Sequence, residues 1–199
     1  MLVQAESTQQ AVGYPALFLL VALGALVPVI PTGALVSSAA VVAVHQRESL
    51  PFGVLLVFVV GAVAAFTGDL ALYWLGLRGV RSPGGSRRLA RLRERADPER
   101  LAQAQGRLHR HGMLVLVLSR LVPAGRIPVM VACLMAEMPL RRFARGDAAA
   151  CVAWAAAYGV IGILGGSLFS EPWEGVVVAV ALALLVSAAP AAWRHLRPT

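Results

Sequence analysis

Four long apolar stretches, separated by charged segments, constrain the fold of this chain more than any other feature of its sequence. Hydrophobic residues make up 58% of the chain and charged residues only 14%, whereas a soluble domain is about 45–50% apolar and about 25% charged. One small soluble core cannot enclose so much apolar surface, and the same excess excludes intrinsic disorder. Two cysteines are too few for a disulfide scaffold. The sequence therefore predicts an integral membrane protein with a single domain.

Two of the apolar stretches contain helix breakers. Residues 14–44 would measure about 46 Å as a straight helix, against a hydrocarbon core of about 30 Å. Their centre reads VPVIPTG, and the bend is expected at Pro28, Pro31, Thr32 and Gly33. Residues 113–138 are interrupted in the same way by SRLVPAGRIP, which holds two prolines and two arginines. Each of these stretches is predicted to bend back rather than to cross the membrane.

The distribution of arginines indicates which ends face the cytoplasm. All 18 basic residues are arginine, and residues 78–111 contain ten of them against three acids. Basic segments between apolar stretches are typical of cytoplasmic loops beside anionic lipid, so nucleic-acid binding is disfavoured. A second basic cluster consists of Arg141, Arg142 and Arg145. If residues 113–138 crossed the membrane, this cluster would lie outside the cell, against the preference of basic residues for the cytoplasmic side. Residues 113–138 are therefore expected to enter the membrane from the cytoplasm and to return there.

These constraints predict an all-α integral membrane fold with two oppositely inserted re-entrant helical hairpins, each followed by a transmembrane helix. The predicted segments are hairpin 1 at 14–44, a transmembrane helix at 52–77, a basic cytoplasmic loop at 78–111, hairpin 2 at 113–138, a transmembrane helix at 148–169 and a C-terminal transmembrane helix at 176–193. Inverted units with broken helices are typical of transporters. The lysine-free, arginine-rich composition suggests a bacterial chain, and hence the bacterial plasma membrane.

The strongest local signal is the sequence RLVPAGR, in which Arg120 and Arg126 flank a bend at Pro123 and Gly125. A charged residue at the bilayer centre costs about 2.5–3.5 kcal/mol on insertion scales, so its presence points to a function. Guanidinium groups bind phosphate oxygens bidentately, and a bend frees backbone N–H groups for an anion. The four residues therefore form a candidate site for a lipid phosphate. The alternative is that the arginines only pair with acids and hold the helices together.

Acidic residues in or beside the apolar stretches are the expected partners of these arginines. Asp69 lies in GDLALYWLG, and Tyr73 follows it by four residues on the same helical face. Glu137 and Asp147 flank the second basic cluster. These four residues form a candidate polar or proton-coupling network. The alternative is a packing role, with Asp69 hydrogen-bonded between helices and Asp147 as a helix cap.

The sequence lacks the residue patterns that enzymatic or metal chemistry would need. Its four histidines show no metal-ligand spacing, and no nucleophile–base pair is evident. The phosphate motif of an integral-membrane lipid phosphatase would be expected to contain a lysine, which is absent here. We therefore expect no enzyme activity, no metal and no cofactor.

The motifs described above resemble those of the DedA family, also called SNARE-associated or VTT-domain membrane proteins. The similar elements are a proline-bearing first hairpin, a G-D-x-x-x-Y-x-x-G span, R-x-x-P-x-x-R in the second hairpin, and a run through Met138, Phe143, Asp147 and Trp154. Together they cover roughly residues 14–166. The resemblance implies two opposed re-entrant hairpins, movement of lipid phosphates across the membrane, and phosphate binding by the two arginines of the second hairpin.

The chain departs from the family pattern in hairpin 1. Family members usually carry an acid where this chain has Gly33, and residues 14–44 contain no Asp or Glu. Cys133 replaces a common glycine, and Asp147 stands where asparagine is usual. Because the hairpin acids of the family are implicated in proton coupling, the coupling mechanism of this chain is left open, with Asp69 as the remaining acid.

The resulting hypothesis is a flippase that returns a polyprenyl phosphate, above all undecaprenyl phosphate, to the cytoplasmic leaflet for carrier-lipid recycling in the cell envelope. A passive phospholipid scramblase of the same fold is the nearest alternative and predicts little head-group selectivity. A structural or adaptor membrane protein that acts through its basic loop is a third, and predicts that residues 86–110 are essential. The expected partners are membrane lipids and the polyprenyl phosphate, and a homo-oligomer is left open.

Overall fold

The protein is helical throughout the residues that the structure describes. The computed structural model describes residues 2–26, 31–46, 50–82, 84–87, 98–121, 125–182 and 185. The helices are α1 (Leu2–Leu26), α2 (Thr32–His45), α3 (Leu50–Arg81), α4 (Pro98–Leu121), α5 (Arg126–Met135), α6 (Leu140–Leu168) and α7 (Pro172–Leu182). A single helical turn at 84–87 follows α3.

Two helices, α3 and α6, are long and apolar enough to cross a membrane. They contain 32 and 29 residues, which corresponds to about 48 and 43 Å of helix against a hydrocarbon core of about 30 Å. The other apolar helices of the described residues are shorter: they are α2, α5, α7 and the part Gly13–Leu26 of α1. Helix α2 has 14 residues and α5 has 10, or about 21 and 15 Å. The all-helical class of the prediction is thus confirmed, with two helices of membrane-crossing length.

The first hairpin consists of α1 and α2, which pack against α3 in opposite directions. Gly68 of α3 lies against Ala22 and Ala25 near the end of α1. Gly61, earlier in α3, lies against Val36 of α2. Leu17 of α1 and Ala43 of α2 both line a cavity with Val57 of α3, so α1 runs parallel to α3 and α2 runs antiparallel to it. Residues 27–30, which include Pro28, lie outside the described residues, and Pro31 directly precedes α2.

The second hairpin consists of the last turns of α4 together with α5. Helix α4 is kinked at His111, whose φ of −132° and ψ of 30° are not helical. Beyond the kink, Leu116 packs on Gly146 of α6, while Leu134 of α5 packs on Gly76 of α3. The second hairpin thus repeats the first in part: α4 packs on α6 as α1 packs on α3, and α5 packs on α3 rather than on α6. Residues 122–124, which include Pro123, lie outside the described residues.

Small residues bring α2 and α6 into close contact. A side chain at Gly162 would collide with the backbone of Ser37, and one at Gly166 would lie 2.9 Å from Val44. The Ser37 hydroxyl donates a 2.8 Å hydrogen bond to the backbone carbonyl of Tyr158. Close backbone approach at small residues is a common basis of helix association in membranes. Hairpin 1 is therefore held firmly on α6.

The helix bounds differ from the sequence-based segments at several places. Helix α1 begins at Leu2 rather than at 14, and α4 begins at Pro98, within the segment 78–111 that the sequence predicts to be a loop. Helix α3 continues to Arg81, because exposed arginines can extend a helix past the apolar region. Helix α6 begins at Leu140 rather than at 148, since Pro139 precedes an amphipathic turn with Phe143 buried and the arginines exposed. Helix α7 begins at Pro172 rather than at 176, and most of residues 183–193 lie outside the described residues.

Candidate functional site

Asp69 is the centre of a buried charge cluster between the two hairpins. Its side chain is fully buried in α3, and the preceding Gly68 allows α1 to approach closely. One carboxylate oxygen contacts the Arg120 guanidinium, and the other lies 2.8 Å from Arg126 Nη1. A single carboxylate therefore bridges the arginines on either side of the second hairpin turn.

Arg120 enters the cluster from the last turn of α4. Its side chain is only 6% exposed, and its Nη1 lies 3.9 Å from Asp147 Oδ1. The guanidinium also lies over the Trp154 ring, 5.0 Å from the ring centroid. Removal of a charge from water costs several kcal/mol, which an opposite charge offsets only with good geometry. Arg120 is therefore tied to both acids and to an aromatic face.

Arg126 connects the two hairpin turns. It is the first residue of α5, and its Nη2 donates a hydrogen bond to the backbone carbonyl of Ala25. This carbonyl lies in the last turn of α1, where no later helical N–H is available to it. Arg126 is 20% exposed, more than its partners in the cluster. The last turn of α1 and the first residue of α5 are therefore joined through the Arg126 guanidinium.

Asp147 completes the cluster from α6, where it accepts a long contact of 3.6 Å from the Cys151 thiol. Two arginines and two aspartates leave the cluster formally neutral. Arg120 Nε nevertheless has no hydrogen-bond partner among the described residues. Buried polar atoms without such partners destabilise a fold by about 1–3 kcal/mol each. The cluster therefore retains hydrogen-bonding capacity for a polar ligand.

The same residues bring together three potential metal-ligand atoms. Atoms of Asp69, Asp147 and Cys151 lie within 4.8 Å of one another. A cation at this point would have to compete with Arg120, which contacts both carboxylates. Guanidinium groups in contact with the carboxylates repel a second cation and attract an anion. The arrangement is therefore better suited to an anionic ligand than to a metal ion.

The structure brings together four of the residues predicted as a site and places the others apart. Arg120, Arg126, Asp69 and Asp147 form the cluster. Gly125 directly precedes α5 with helical φ and ψ of −75° and −28°.

Tyr73 and Glu137 lie outside this cluster. The Tyr73 hydroxyl donates a 2.7 Å hydrogen bond to the Met138 carbonyl, and its ring stacks on Phe143 at 3.9 Å. Glu137 is exposed in the turn after α5, with a left-handed φ of 54°. Glu137 is therefore separate from Asp69 and Asp147, the acids that contact the two arginines.

The start of α2 contains no charged group. Pro31 is exposed and Thr32 is half-buried at the first position of the helix. Gly33 is buried beneath the Tyr158 ring, which occupies the space that a side chain would need. An acid at this position would therefore collide with Tyr158.

Sequence reasoning missed the Ala25 carbonyl, Cys151 and Tyr158. The first has a local signal, because a helix that ends just before a proline leaves its last carbonyl groups without partners. The other two have no such signal, since their roles depend on contacts between distant helices.

The sequence matches a known family model along most of its length. The family model described as VTT domain matches residues 14–164, which is most of the chain. No curated protein and no solved structure matches the chain.

Proposed function

This chain belongs to the VTT-domain family, that of the DedA proteins its motifs resemble, and we propose that it moves a lipid phosphate across the membrane. The substrate is a polyprenyl phosphate, above all undecaprenyl phosphate, and the direction is towards the cytoplasmic leaflet of a bacterial plasma membrane. The observation that carries the proposal is the Asp69 carboxylate shared by Arg120 and Arg126 where the hairpins meet. No covalent chemistry is required for such a transfer.

Phosphate binding at this site is an exchange of anions. The substrate phosphate replaces the Asp69 carboxylate on the guanidinium groups, whose planar N–H edges suit phosphate oxygens. Arg126 is the more exposed of the pair, so it makes the first contact. Arg120 Nε, which has no aligned partner among the described residues, supplies a further donor. The isoprenoid tail stays in the surrounding lipid.

The net charge of the cluster links phosphate binding to the uptake of a proton. The empty cluster is formally neutral, with Arg120 and Arg126 against Asp69 and Asp147. An incoming phosphate adds at least one negative charge in a poorly hydrated site, where net charge is costly. Proton uptake by one aspartate would restore neutrality. A proton gradient can therefore drive the cycle without an acid in hairpin 1.

The proposed topology is that of two re-entrant hairpins inserted from opposite sides. Helices α2 and α5 are too short to cross, while α3 and α6 have sufficient length. Exposed arginines at the end of α3 and the start of α6 mark the cytoplasmic side, and Glu171 lies at the other end of α6. The charge cluster then lies between the hairpin turns, accessible in alternation from either side.

The test is transbilayer movement of undecaprenyl phosphate in proteoliposomes, with phosphatidylglycerol as a parallel probe and with or without a pH gradient. We expect selective movement of the polyprenyl phosphate and stimulation by the gradient. Arg126→Lys retains the charge but not the planar fork, so it should slow movement at least tenfold. The matched control is Arg145→Lys, because Arg145 is exposed near the start of α6.

Three outcomes would contradict the proposal. Equal movement of both lipids without a gradient would make the protein a scramblase. Movement of neither lipid would exclude a lipid-translocating function. Unchanged rates for Arg126→Lys, with well-folded protein, would show that the arginine fork does not bind the phosphate.

A further inference from the structure

A second basic site lies at the end of α3, apart from the charge cluster. A groove of about 750 Å³ separates the end of α3 from the turn between α5 and α6. This volume is within the range of about 300–1,000 Å³ that is typical of small-ligand sites. The residues that matter are Trp74, Leu77, Arg78, Arg81, Glu137 and Met138.

The basic rim of the groove is formed by two successive turns of α3. The Arg78 guanidinium lies on the Trp74 ring, 3.7 Å from its centroid, and Arg81 follows three residues later on the same face. Both arginines are exposed, and within the described part of the chain neither is paired with a carboxylate. Stacking on an aromatic ring fixes a guanidinium while its N–H edge stays available. The Arg78 guanidinium is therefore held in an orientation that allows it to bind an oxyanion.

The floor of the groove is apolar. Leu77, Leu134 and the buried Met138 line it, and Gly76 keeps α3 and α5 in contact, since a Cβ there would lie 2.7 Å from Leu134. Trp74 is 40% exposed, as is typical of a tryptophan at the membrane–water interface. A basic rim above an apolar floor at this depth suits an amphiphile with an anionic head group better than a soluble anion.

The groove and the charge cluster are separate sites. Arg78 follows Asp69 by nine residues, which is about 13 Å along a helix. Between them lies Tyr73, which is fully buried, stacked on Phe143 and hydrogen-bonded to the Met138 carbonyl at the groove floor. A ligand in the groove therefore cannot contact Asp69 in this conformation.

We propose that this groove is a binding site for an acidic membrane phospholipid at the basic end of the molecule. The phosphate lies between Arg78 and Arg81, and an acyl chain lies along Trp74 towards the exposed face of α3. Glu137 also lines the groove, and its carboxylate opposes an anion, so the bound lipid exchanges readily. The proposal does not depend on the function of the central cluster.

The experiment uses the full chain in nanodiscs of phosphatidylcholine that contain a photoactivatable phosphatidylglycerol. Adducts are located by peptide mass spectrometry, which distinguishes the groove from the central cluster. We expect labelling at the end of α3 and in the α5–α6 turn. Arg78→Gln/Arg81→Gln should reduce it at least fivefold, and Glu137→Gln should increase it at least twofold. The control Arg145→Gln, also exposed at the basic end but outside the groove lining, should stay within a factor of two.

Three results would overturn the assignment. Equal losses in the double variant and in Arg145→Gln would show only a general attraction of anionic lipid to basic surface. Equal labelling by a photoactivatable phosphatidylcholine, or complete displacement by millimolar inorganic phosphate, would show that the groove does not select an acidic lipid.

Discussion

The two hairpins share an arrangement but differ in what they place beside their partner helices. In the second hairpin, Arg126 at the start of α5 pairs with Asp69 of α3. At the corresponding place in the first, Gly33 near the start of α2 lies beneath Tyr158 of α6. One contact is ionic and has unused hydrogen-bonding capacity, whereas the other is closely packed. We call these two contacts the junctions of the hairpins. The junction of hairpin 2 is an ion pair that another anion could displace, whereas the junction of hairpin 1 is a packing contact without charge.

The difference indicates a division of labour between the hairpins. Hairpin 1 contributes a backbone carbonyl, that of Ala25, to the cluster, and it is fixed to α6 by contacts such as that at Gly162. Hairpin 2 contributes both arginines. Ion pairs can be exchanged by a competing anion, but packed glycine contacts cannot. We therefore expect substrate-dependent movement to occur mainly in hairpin 2.

The largest expected effect follows from removal of the shared carboxylate. Asp69→Ala leaves Asp147, at 3.9 Å, as the remaining carboxylate beside Arg120 among the described residues, and loss of one partner of a buried ion pair costs about 3–5 kcal/mol. Thermal unfolding in detergent should show a large fall in Tm. The matched control is Thr67→Ala, because Thr67 is exposed on the same helix. If both variants unfolded alike, the junction of hairpin 2 would not depend on its ion pairs.

A smaller effect is expected when the packed junction is altered. Gly33→Ala places a Cβ closer than van der Waals contact to the edge of the Tyr158 ring, and such overpacking costs about 1–3 kcal/mol. Gly159→Ala is the control, because a Cβ there meets no atom within 4 Å. Because the clash is with one ring, Tyr158→Ala should offset part of the Gly33→Ala loss. Strictly additive losses in the double variant would contradict the assigned contact.

The smallest effect is expected from removal of a tyrosine hydroxyl, and it should differ between Tyr73 and Tyr158. Tyr73→Phe removes the hydrogen bond to the Met138 carbonyl but keeps the stacking on Phe143, so a loss of about 0.5–1.5 kcal/mol is expected. The control Tyr158→Phe should be nearly neutral, since within the described residues its hydroxyl has no hydrogen-bond partner. Equal losses, measured as changes in Tm, would show that the Tyr73 hydroxyl makes no particular contribution.

Much of the architecture was predictable because it follows from local properties. Apolar length identified α3 and α6, and proline and glycine placed the turns that separate α1 from α2 and α4 from α5. The RLVPAGR motif identified the arginines of the cluster. Helix ends were less predictable, since amphipathic turns rich in arginine extend α3 and α6 beyond their apolar parts.

The sequence by itself determined the helical membrane class, the breaks in the hairpins and the charged groups, because hydropathy and backbone preference depend on neighbouring residues. Only the tertiary structure decided which acids face Arg120, namely Asp69 and Asp147 rather than Glu137. It also decided that Tyr158 fills the space beside Gly33. These pairings depend on how distant helices pack, and no local pattern in the chain records the register between them.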